Sequence, residues 1–469
     1  GLPKRSFVND IKADMHDENI VYVVLDNHKE GDFNPYLFKS EDQGNSWVPI
    51  SNDLPKRTLL WRIVQDHINK NLFFLATEFG VYTSLNGCKN WQKLNGTPNM
   101  GFRDLVIQKR ESDLVAASFG RGFYVLDDYS PLRNFSNENL KKKGHLFPIK
   151  DGKWFIQRSN LGNTGADFYL AENPKYGVTM TYHLGNNYET KSEKRKKSEK
   201  RLNQNLLDVP FPGYNNLDEE KNETPAYIKI SIEDQEGNII RHLKERAAKG
   251  THRITWDLRH MFKGSVTDSN KKYNLRGPVV KPGKYSASLY LVENGETTKL
   301  SEKKIFELKP IYKSILKGTS FKDYNNYVDD YFRVYNDVQL IEHKIKAANE
   351  KVNSLKIAIE NTPRETEELV LDFHNLKNSL LLVERKVFGN ESKTEIGEKN
   401  TPTLFNRIRV ASQGLSSSYG PTKLHMESLD MARLMNEEIK PLIENLISKE
   451  VTPLENKIKD INGPVIIED

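Results

Sequence analysis

The sequence predicts a multidomain chain that is all-β over its first two thirds and all-α over its last third. Short apolar runs recur through residues 1–134 with polar turns between them, which indicates repeated antiparallel strands. Alternating apolar residues over 174–310 indicate a β-sandwich. From residue 311 onward the apolar residues are spaced three and four apart, the period of an amphipathic helix.

The first 134 residues contain about three copies of one strand pattern. In each copy, a strand start and a polar turn precede a run of apolar or small residues. These runs cover 21–25, 72–76 and 114–118. Short runs rich in β-branched and aromatic residues between turns are typical of antiparallel strands. The pattern therefore predicts about three sheets of similar structure, and it stops after Arg133.

Two copies of an eight-residue turn follow strands of this repeat. Residues 40–47 are S-E-D-Q-G-N-S-W, and residues 84–91 are S-L-N-G-C-K-N-W. In such a turn an Asp or Asn side chain accepts backbone N–H groups, glycine supplies a positive φ, and tryptophan packs back on the hairpin. The residues for which we expect structural roles are Ser40, Asp42, Gly44, Trp47, Ser84, Asn86 and Trp91.

This turn resembles the Asp-box, or BNR repeat, of sialidase-like, xyloglucanase-like and sortilin-like β-propellers. The first copy matches every defined position, whereas the second has Asn86 for Asp and Cys88 for Gly. The resemblance implies that residues 1–134 are the C-terminal blades of such a propeller. Because propellers close with about four to eight blades, we expect the remaining blades in an N-terminal part of the same protein or in another chain.

A connector and a second all-β unit are expected next. Residues 135–173 lack the repeat, and we expect them to pack on the propeller edge. Residues 174–310 resemble the immunoglobulin-like or fibronectin-like sandwich of the bacterial FlgD type, with Trp256 in its core. The charge-rich stretch over 189–223 is expected to be a solvated loop of this unit.

Residues 311–469 predict an antiparallel helical bundle. A stripe of apolar and tyrosine residues runs over 324–348, and we expect it to be buried in the bundle rather than exposed to a partner. A second long helix is expected to start at Thr362, with residues 363–365 in its first turn. Further helices are expected over 404–412, 422–447 and 454–461.

The composition argues against several classes of function. No run approaches the roughly 18 apolar residues of a membrane span. The net charge of +6 is modest for 469 residues and both signs are interspersed, so we expect no nucleic-acid surface. Cys88 is the only cysteine, which excludes an intrachain disulfide within this sequence. The 11 histidines show no ligand spacing and no nucleotide-binding loop is present, so we expect no metal and no cofactor.

The resemblance to propeller enzymes raises the question of glycoside hydrolysis. That chemistry uses two carboxylates or, in sialidases, a tyrosine with a glutamate. The candidate catalytic residues are Arg121, Glu78, Asp127 and Asp128. Arg121 lies between two glycines, and Glu78 lies in the corresponding part of the preceding repeat. In the structural alternative, Arg121 bridges blades and the two aspartates end the last blade.

The order of propeller, sandwich and bundle resembles a group of large bacterial proteins labelled sortilin-like or glycosyl hydrolase BNR-repeat proteins. This resemblance implies an extracytoplasmic location at the cell surface, outer membrane or periplasm. We expect a non-catalytic module that binds a protein or peptide, with other envelope or secreted proteins as partners. The alternatives are a secreted glycoside hydrolase acting on a polysaccharide or sialoglycan, and a passive structural part of a larger surface complex.

Overall fold

Three stacked sheets, a two-sheet sandwich and a helical bundle follow one another along the chain. The computed structural model describes residues 2–157, 171–266, 275–312, 315–363 and 367–466. Within these residues the strands lie between Phe7 and Pro310, and the long helices follow from Phe321. The protein is therefore β-rich in its first part and helical in its last part, as the sequence predicted.

Three antiparallel sheets form the N-terminal part, and each follows the order of the chain. The first consists of β1 (Phe7–Ala13), β2 (Val21–Asn27), β3 (Asp32–Ser40) and β4 (Val48–Pro49). The second consists of β5 (Leu60–Gln65), β6 (Phe73–Thr77), β7 (Gly80–Ser84) and β8 (Gln92–Lys93). Among the described residues the third consists of β9 (Phe102–Gln108), β10 (Asp113–Ser118) and β11 (Phe123–Leu126). The predicted repeat of about three sheets is thus confirmed.

The sheets stack on one another because β6 is apolar on both sides. Side chains alternate between the two faces of any strand. Phe73 and Leu75 pack in a core shared with the first sheet, whereas Phe74 and Ala76 pack in a core shared with the third. All four are at most 1% exposed. Burial of both faces explains why this run shows no alternation of polar residues.

A charged bridge joins the first strands of the three sheets. Arg62 on β5 donates from Nη1 to Asp10 on β1 at 2.9 Å, and from Nε to Asp104 on β9 at 2.7 Å. Asp10 also accepts the backbone N–H of Ile63 at 3.1 Å, and its side chain is only 3% exposed. The guanidinium therefore aligns the strands β1, β5 and β9 with one another.

A buried ion pair holds the chain where it leaves the third sheet. Asp66, directly after β5, is fully buried. Arg133 donates to both of its carboxylate oxygens at 2.9 and 2.8 Å, and the Tyr129 hydroxyl donates at 2.7 Å. The N–H groups of Ile68 and Asn69 donate to the same carboxylate. We name Asp66, Tyr129 and Arg133 the Asp66 clamp, because they tie the second sheet to the segment after the third.

Two sheets with a common core form the sandwich. Its strands are β12 (Gly144–Leu146), β13 (Gly152–Trp154), β14 (Val178–Leu184), β15 (Tyr227–Asp234), β16 (Ile239–Arg246), β17 (Gly250–Trp256), β18 (Gly283–Glu293), β19 (Glu296–Lys299) and β20 (Lys304–Pro310). One sheet has the order β12-β14-β17, and the other has the order β13-β20-β18-β15-β16 with β19 beside β18. Trp256 is fully buried in the common core, as predicted, with Tyr285 and Phe306 as ring neighbours.

Residues 135–157 contact the third sheet through Lys150 and Lys153, but they also form part of the sandwich, which was not expected of a connector. After a short helix, α1 (Asn137–Lys141), strands β12 and β13 join the two sheets of the sandwich. Trp154 is buried in the sandwich core and donates its indole N–H to the carbonyl of Val280 at 2.6 Å. The sheet edges at β14 and β20 offer backbone groups that these short strands satisfy. The rest of the expected connector, 158–170, lies outside the described residues.

The charge-rich stretch forms two helices, so the expectation of a loop was wrong, although neither helix has a buried residue and the stretch is solvated as expected. They are α2 (Lys191–Gln204) and α3 (Tyr214–Asn222). Thr190 and Glu193 form a capping box at the start of α2. Arg195 then pairs with Glu199 on its own helix and with Glu220 on α3. Lys, Arg and Glu favour helices, and their spacing of four residues allows such pairs.

The C-terminal part is a helical bundle with one extended core. Its helices are α4 (Phe321–Glu360), α5 (Glu367–Val387), α6 (Glu391–Glu395), α7 (Leu404–Gln413), α8 (Lys423–Leu446) and α9 (Thr452–Asp460), with a π-helical turn (Ile447–Val451) before α9. The predicted tyrosine stripe is buried at Tyr324, Tyr327 and Tyr331. The hydroxyl of Tyr324 donates to the carbonyl of Val279 at 2.8 Å, which joins the bundle to the sandwich. Residues 364–365, expected in the first turn of the second long helix, lie outside the described residues.

Removal of the clamp carboxylate is expected to destabilise the stacked sheets. In Asp66→Ala the guanidinium of Arg133 stays largely buried without its partner, which typically costs about 3–5 kcal/mol. Hydrogen exchange of the buried β6 amides measures this free energy of opening. Glu138→Ala, in an exposed pair with Lys142, is the control and should change the opening free energy by less than about 1 kcal/mol. An effect of Asp66→Ala no larger than that of the control would contradict the importance of the clamp.

The clamp also predicts a loss of stability in acid. Burial alone raises the pKa of Asp66, but the bonds from Arg133 and Tyr129 outweigh burial and lower the pKa to about 2. Because an unfolded aspartate titrates near pH 4, this stabilisation is present above about pH 4 and is lost as the pH falls toward 2. The shift corresponds to about 2 kcal/mol. In hydrogen exchange across this pH range, Asp66→Asn should therefore lose less stability than the wild type, and equal losses would contradict the shift.

Candidate functional site

One end of the stacked sheets carries a row of aromatic and charged side chains. Two backbone bonds fix the turns at this end: Glu78 donates its N–H to the carbonyl of Leu59 at 2.9 Å, and Phe119 donates to that of Gly101 at 2.8 Å. We define the rim cluster as Trp61, Glu78, Arg103 and Phe119. Trp61 and Arg103 lie at the starts of β5 and β9, and Glu78 and Phe119 lie in the turns after β6 and β10.

Arg103 is the centre of the rim cluster. Its guanidinium lies 3.5 Å from the ring centroid of Trp61 and 5.0 Å from that of Phe119. Glu78 accepts the indole N–H of Trp61 at 3.0 Å and lies 3.6 Å from the guanidinium of Arg103. The Arg103 side chain is 38% exposed and Phe119 is 71% exposed. The cluster thus offers solvent a fixed cation next to flat aromatic surface.

A histidine–aspartate pair extends this row to the first sheet. The His28 ring lies edge-on to Trp61, with 6.2 Å between ring centroids. Its Nδ1 bonds a carboxylate oxygen of Asp26, which is buried. Burial raises the pKa of Asp26, but hydrogen bonds from His28 and Asn9 outweigh burial and lower that pKa. Asp26 is therefore an anion that orients the histidine, and no sequence motif pointed to either residue.

The four predicted catalytic candidates are not brought together. Glu78 belongs to the rim cluster, and Arg121 is exposed in the turn between β10 and β11. Asp127 and Asp128 follow the other end of β11, about 13 Å away for a strand of this length. Among the described residues Arg121 forms no ion pair, and Arg62 makes the bridge between sheets that the sequence suggested for Arg121. Arg121 has glycine neighbours and no carboxylate beside it, which explains the difference.

Asp127 and Asp128 border a groove of about 950 Å³ between the third sheet and the sandwich, which we name the interface groove. Its lining includes Glu111, Asp113, Asp127, Asp128, Lys150 and Arg259. Arg253 donates to the backbone carbonyls of Asp127 and Asp128 at 2.9 and 2.6 Å, and Asp113 accepts the N–H of Asp128 at 2.9 Å. Burial, together with the neighbouring Asp113 carboxylate, raises the pKa of Asp127. The groove therefore contains one carboxyl group that holds its proton more tightly than usual.

Another carboxylate of the interface groove is neutralised by two lysines. Glu111 accepts hydrogen bonds from Lys150 at 2.7 Å and from Lys153 at 2.8 Å. These bonds lower the pKa of Glu111 to about 2. The lysines lie in the segment around β13, so the pairs join the third sheet to the sandwich. Glu111 is thus a structural contact and not a free acid or base.

The first of the two eight-residue turns, residues 40–47, is closed by its own side chains. The Ser40 hydroxyl accepts the N–H of Gly44 at 2.8 Å, and Asp42 accepts the N–H of Ser46 at 2.8 Å. Gly44 has a φ of 93°, which favours glycine. Bonds from the hydroxyl and N–H of Ser46 lower the pKa of Asp42 to about 2. Trp47 follows directly and packs against the first sheet.

The second turn repeats these bonds with different residues. The Ser84 hydroxyl accepts the N–H of Cys88 at 2.9 Å, and Asn86 accepts the N–H of Asn90 at 3.0 Å. Cys88 takes the place of the glycine with a φ of 65°. Trp91 is 5% exposed in the core between the first two sheets. Both turns lie at the opposite end of the sheets from the rim cluster, so they do not contribute to it.

Cofactor chemistry has no preformed centre in the described part of the chain. No group of three or more His, Cys, Asp and Glu side chains there is placed to hold a metal ion. Cys88 is buried, and burial raises the pKa of its thiol, which disfavours the reactive thiolate. Across the same residues, no helix has the length and apolar content that crossing a membrane requires.

Comparison with known proteins finds solved structures at low similarity. No protein-family model and no curated protein matches the sequence. The chain is similar to the GH74 enzyme of Niastella koreensis, with 20% identity over 26% of this chain and 21% of that one and a TM-score of 0.22. It is also similar to the GH74 xyloglucanase of Xanthomonas campestris, with 12% identity over 62% of this chain and 38% of that one and a TM-score of 0.22. An ancestral GH74 enzyme matches with 13% identity over 63% and 35% of the two chains, also at 0.22.

These matches are partial. The chain spans between 21% and 38% of the length of the three structures. At TM-scores of 0.22 the likeness carries no argument about the activity of this chain. The functional proposal therefore rests on the geometry of the described residues.

Asp127→Asn is expected to stabilise the protein slightly at neutral pH. A carboxyl group whose pKa is raised by folding lowers stability at pH values above that pKa. The groove removes part of the water around the Asp127 carboxyl, but the residue as a whole is exposed, so solvent screens this effect. We therefore expect a rise in unfolding temperature of only about 1 °C at neutral pH. In acid, where the carboxyl is protonated, the rise should disappear. Calorimetry at neutral and acid pH measures the unfolding temperature. Asp218→Asn, an exposed substitution on α3, is the control. The same rise in unfolding temperature in both variants would contradict a specific effect of Asp127.

Proposed function

We propose that this chain is a non-catalytic binding module whose stacked sheets are blades of a sortilin-like or BNR-type β-propeller. In this proposal the rim cluster contacts a protein or peptide partner. The two Asp-box turns support the propeller interpretation, because the same hydrogen bonds recur one sheet apart. The exposed aromatic and charged side chains at one end of the stack support a binding role, since protein interfaces are enriched in aromatic residues and arginine.

The observation that carries the proposal is the stack of Arg103 between Trp61 and Phe119. Trp61 and Glu78 hold the guanidinium in place, so little side-chain freedom is lost when a partner binds. Phe119 presents most of its surface to solvent. A partner carboxylate can bond the arginine while a neighbouring apolar group covers the rings.

The carboxylates of the rim suit binding better than hydrolysis. Most glycosidases need two carboxyl groups about 5–10 Å apart across the sugar. Glu78 is bonded to Trp61 and paired with Arg103, and Asp26 is bonded to His28. Each of these carboxyl groups therefore already orients a neighbouring ring or cation.

Glycoside hydrolysis in the interface groove is the second candidate function. The observation in its favour is the raised pKa of Asp127 beside Asp113, because acid and base roles are separated where two carboxyl groups have different environments. The groove volume of about 950 Å³ lies within the range of ligand sites. Its substrate would be a polysaccharide or sialoglycan.

We also propose that the remaining blades come from an N-terminal part of the same protein. The outward faces of the first and third sheets support this, because Ile11 on β1 is 62% exposed and Val106 on β9 is 57% exposed. Further sheets would cover these faces in the way that β6 is covered. The extracytoplasmic location, and partners among envelope or secreted proteins, are proposals that rest on the Asp-box resemblance.

Peptide selection tests the binding role. Peptides from a random phage-displayed library are selected on the immobilised chain, and their affinities are then measured for variants. Phe119→Ser is expected to weaken binding about tenfold or more, because a stacking contact at a binding surface contributes roughly 1–2 kcal/mol. Phe211→Ser, which replaces a phenylalanine that is 64% exposed near α3, is the matched control and should keep wild-type affinity. If both variants bind the selected peptides equally well, the rim cluster is not the binding site.

A hydrolysis assay separates the two candidate functions. Reducing-sugar release from xyloglucan and release of sialic acid from sialyllactose are measured for the wild type and for Asp127→Asn. We expect no release above the buffer blank from either protein. Release by the wild type that Asp127→Asn abolishes would instead establish hydrolysis in the interface groove.

A further inference from the structure

The third sheet is one strand narrower than its two neighbours. Strands β4 and β8 complete the first and second sheets as fourth strands of two residues each. No described residue pairs with the outer edge of β11. An unpaired edge presents backbone N–H and C=O groups that accept another strand.

The charged bridge between the inner strands shows which residues of the three sheets are equivalent. Each bridge residue has a partner on the second strand of its sheet, which in turn has a partner on the third strand. This pairing leads from Asp10 to Leu37, from Arg62 to Val81 and from Asp104 to Phe123, so these three third-strand residues are equivalent. In the first sheet the carbonyl of Leu37 accepts the N–H of Ile50 at 2.9 Å, and in the second that of Val81 accepts the N–H of Leu94 at 2.8 Å. Both donors directly follow a fourth strand. The carbonyl of Phe123 is the corresponding acceptor of the third sheet.

The hydrogen bonds of β11 itself agree with this equivalence. The carbonyl of Gly122 accepts the N–H of Ser118 at 3.0 Å, so Gly122 directs its backbone groups toward β10. Along an antiparallel strand these groups alternate between the two sides. Phe123 and Val125 therefore direct their N–H and C=O groups toward the open edge.

A cleft of about 610 Å³ lies beside this edge, and we name it the edge cleft. The second sheet lines it with Val81 and Leu94, the third sheet lines it with Leu114 and Ala116, and the sandwich contributes Arg253. The walls also carry polar side chains, among them Thr83, Gln92 and Lys93. Mixed apolar and polar walls beside one row of backbone groups suit an extended peptide.

We propose that the edge cleft binds an extended segment of a partner polypeptide, which adds to β11 as a fourth strand. The segment runs antiparallel to β11, and two of its residues lie opposite Tyr124 and Val125, as β4 and β8 do on their own sheets. The next residue of the segment donates its N–H to the carbonyl of Phe123. This surface is separate from the rim cluster and does not depend on it.

The chain's own fourth strands indicate the side chains of the partner segment. Residues 47–50 are W-V-P-I and residues 91–94 are W-Q-K-L. In both, a tryptophan precedes the two paired residues and an aliphatic residue follows them. The partner segment therefore has an aromatic residue, two residues of either polarity, and an aliphatic residue in succession.

A synthetic peptide with the sequence of residues 89–96, K-N-W-Q-K-L-N-G, tests the edge cleft on the whole chain. The peptide carries a fluorophore, and anisotropy is expected to show saturable binding. Methylation of its leucine nitrogen removes the N–H meant for Phe123 and should weaken binding about tenfold, as for one hydrogen bond. Absence of saturation up to about 1 mM, or equal affinity of the methylated peptide, overturns the proposal. Because the protein is unchanged, this comparison does not depend on the folding of a variant.

Substitution at Val125 and hydrogen exchange test where the peptide binds. Val125→Pro removes an N–H of the open edge and should weaken binding about tenfold, whereas Val125→Thr keeps that N–H and should bind within about threefold of the wild type. Bound peptide should slow exchange of the Val125 amide about tenfold or more. Slowed exchange at Thr83 alone would mean that the peptide replaces β8, and this result would overturn the proposal.

Discussion

The N-terminal part of this structure depends on the hydrogen bonds and ion pair of the buried Asp66 carboxylate. A charge taken out of water is costly unless hydrogen bonds and a counter-charge replace the lost solvent. Asp66 finds its partners in Tyr129 and Arg133, which lie 63 and 67 residues further along the chain. Both partners follow β11 in the chain, so the clamp ties the second sheet to the segment that leaves the third. The clamp therefore determines where the chain leaves the stack, and with it the position of the sandwich and the interface groove.

The same requirement organises the other charges of the stack. Arg62 joins three inner strands, Glu111 holds two lysines across the interface groove, and Glu78 holds the indole and the guanidinium of the rim. These carboxylates thus orient a neighbouring cation or ring. Asp127 is different, since burial and a neighbouring acid raise its pKa. The Arg103 guanidinium also has partners, Glu78 and Trp61, but its side chain remains 38% exposed and so can still bond a ligand.

A stack of repeated sheets leaves characteristic open surfaces. Each internal sheet covers its neighbours, as β6 does, but the outermost faces and any incomplete sheet lack this cover. In this protein the open features are the rim cluster, the outward faces of β1 and β9, and the edge of β11. They differ in chemistry: the rim offers charge and rings, the faces offer apolar side chains, and the edge offers backbone hydrogen bonds.

The sequence by itself determined what depends on near neighbours in the chain. Strand repeats, the two eight-residue turns, the buried tryptophan of the sandwich and the periodicity of α4 all follow from local spacing, so pattern and residue type were sufficient. Only the tertiary structure decided the rim cluster, because Trp61 and Arg103 start different strands and neither belongs to a motif. It also decided that 144–146 and 152–154 complete the sandwich, whereas the helices of the charged stretch follow from local capping and four-residue spacing. The rim cluster and the two short strands depend on partners from distant segments, and the local sequence does not specify which segments meet.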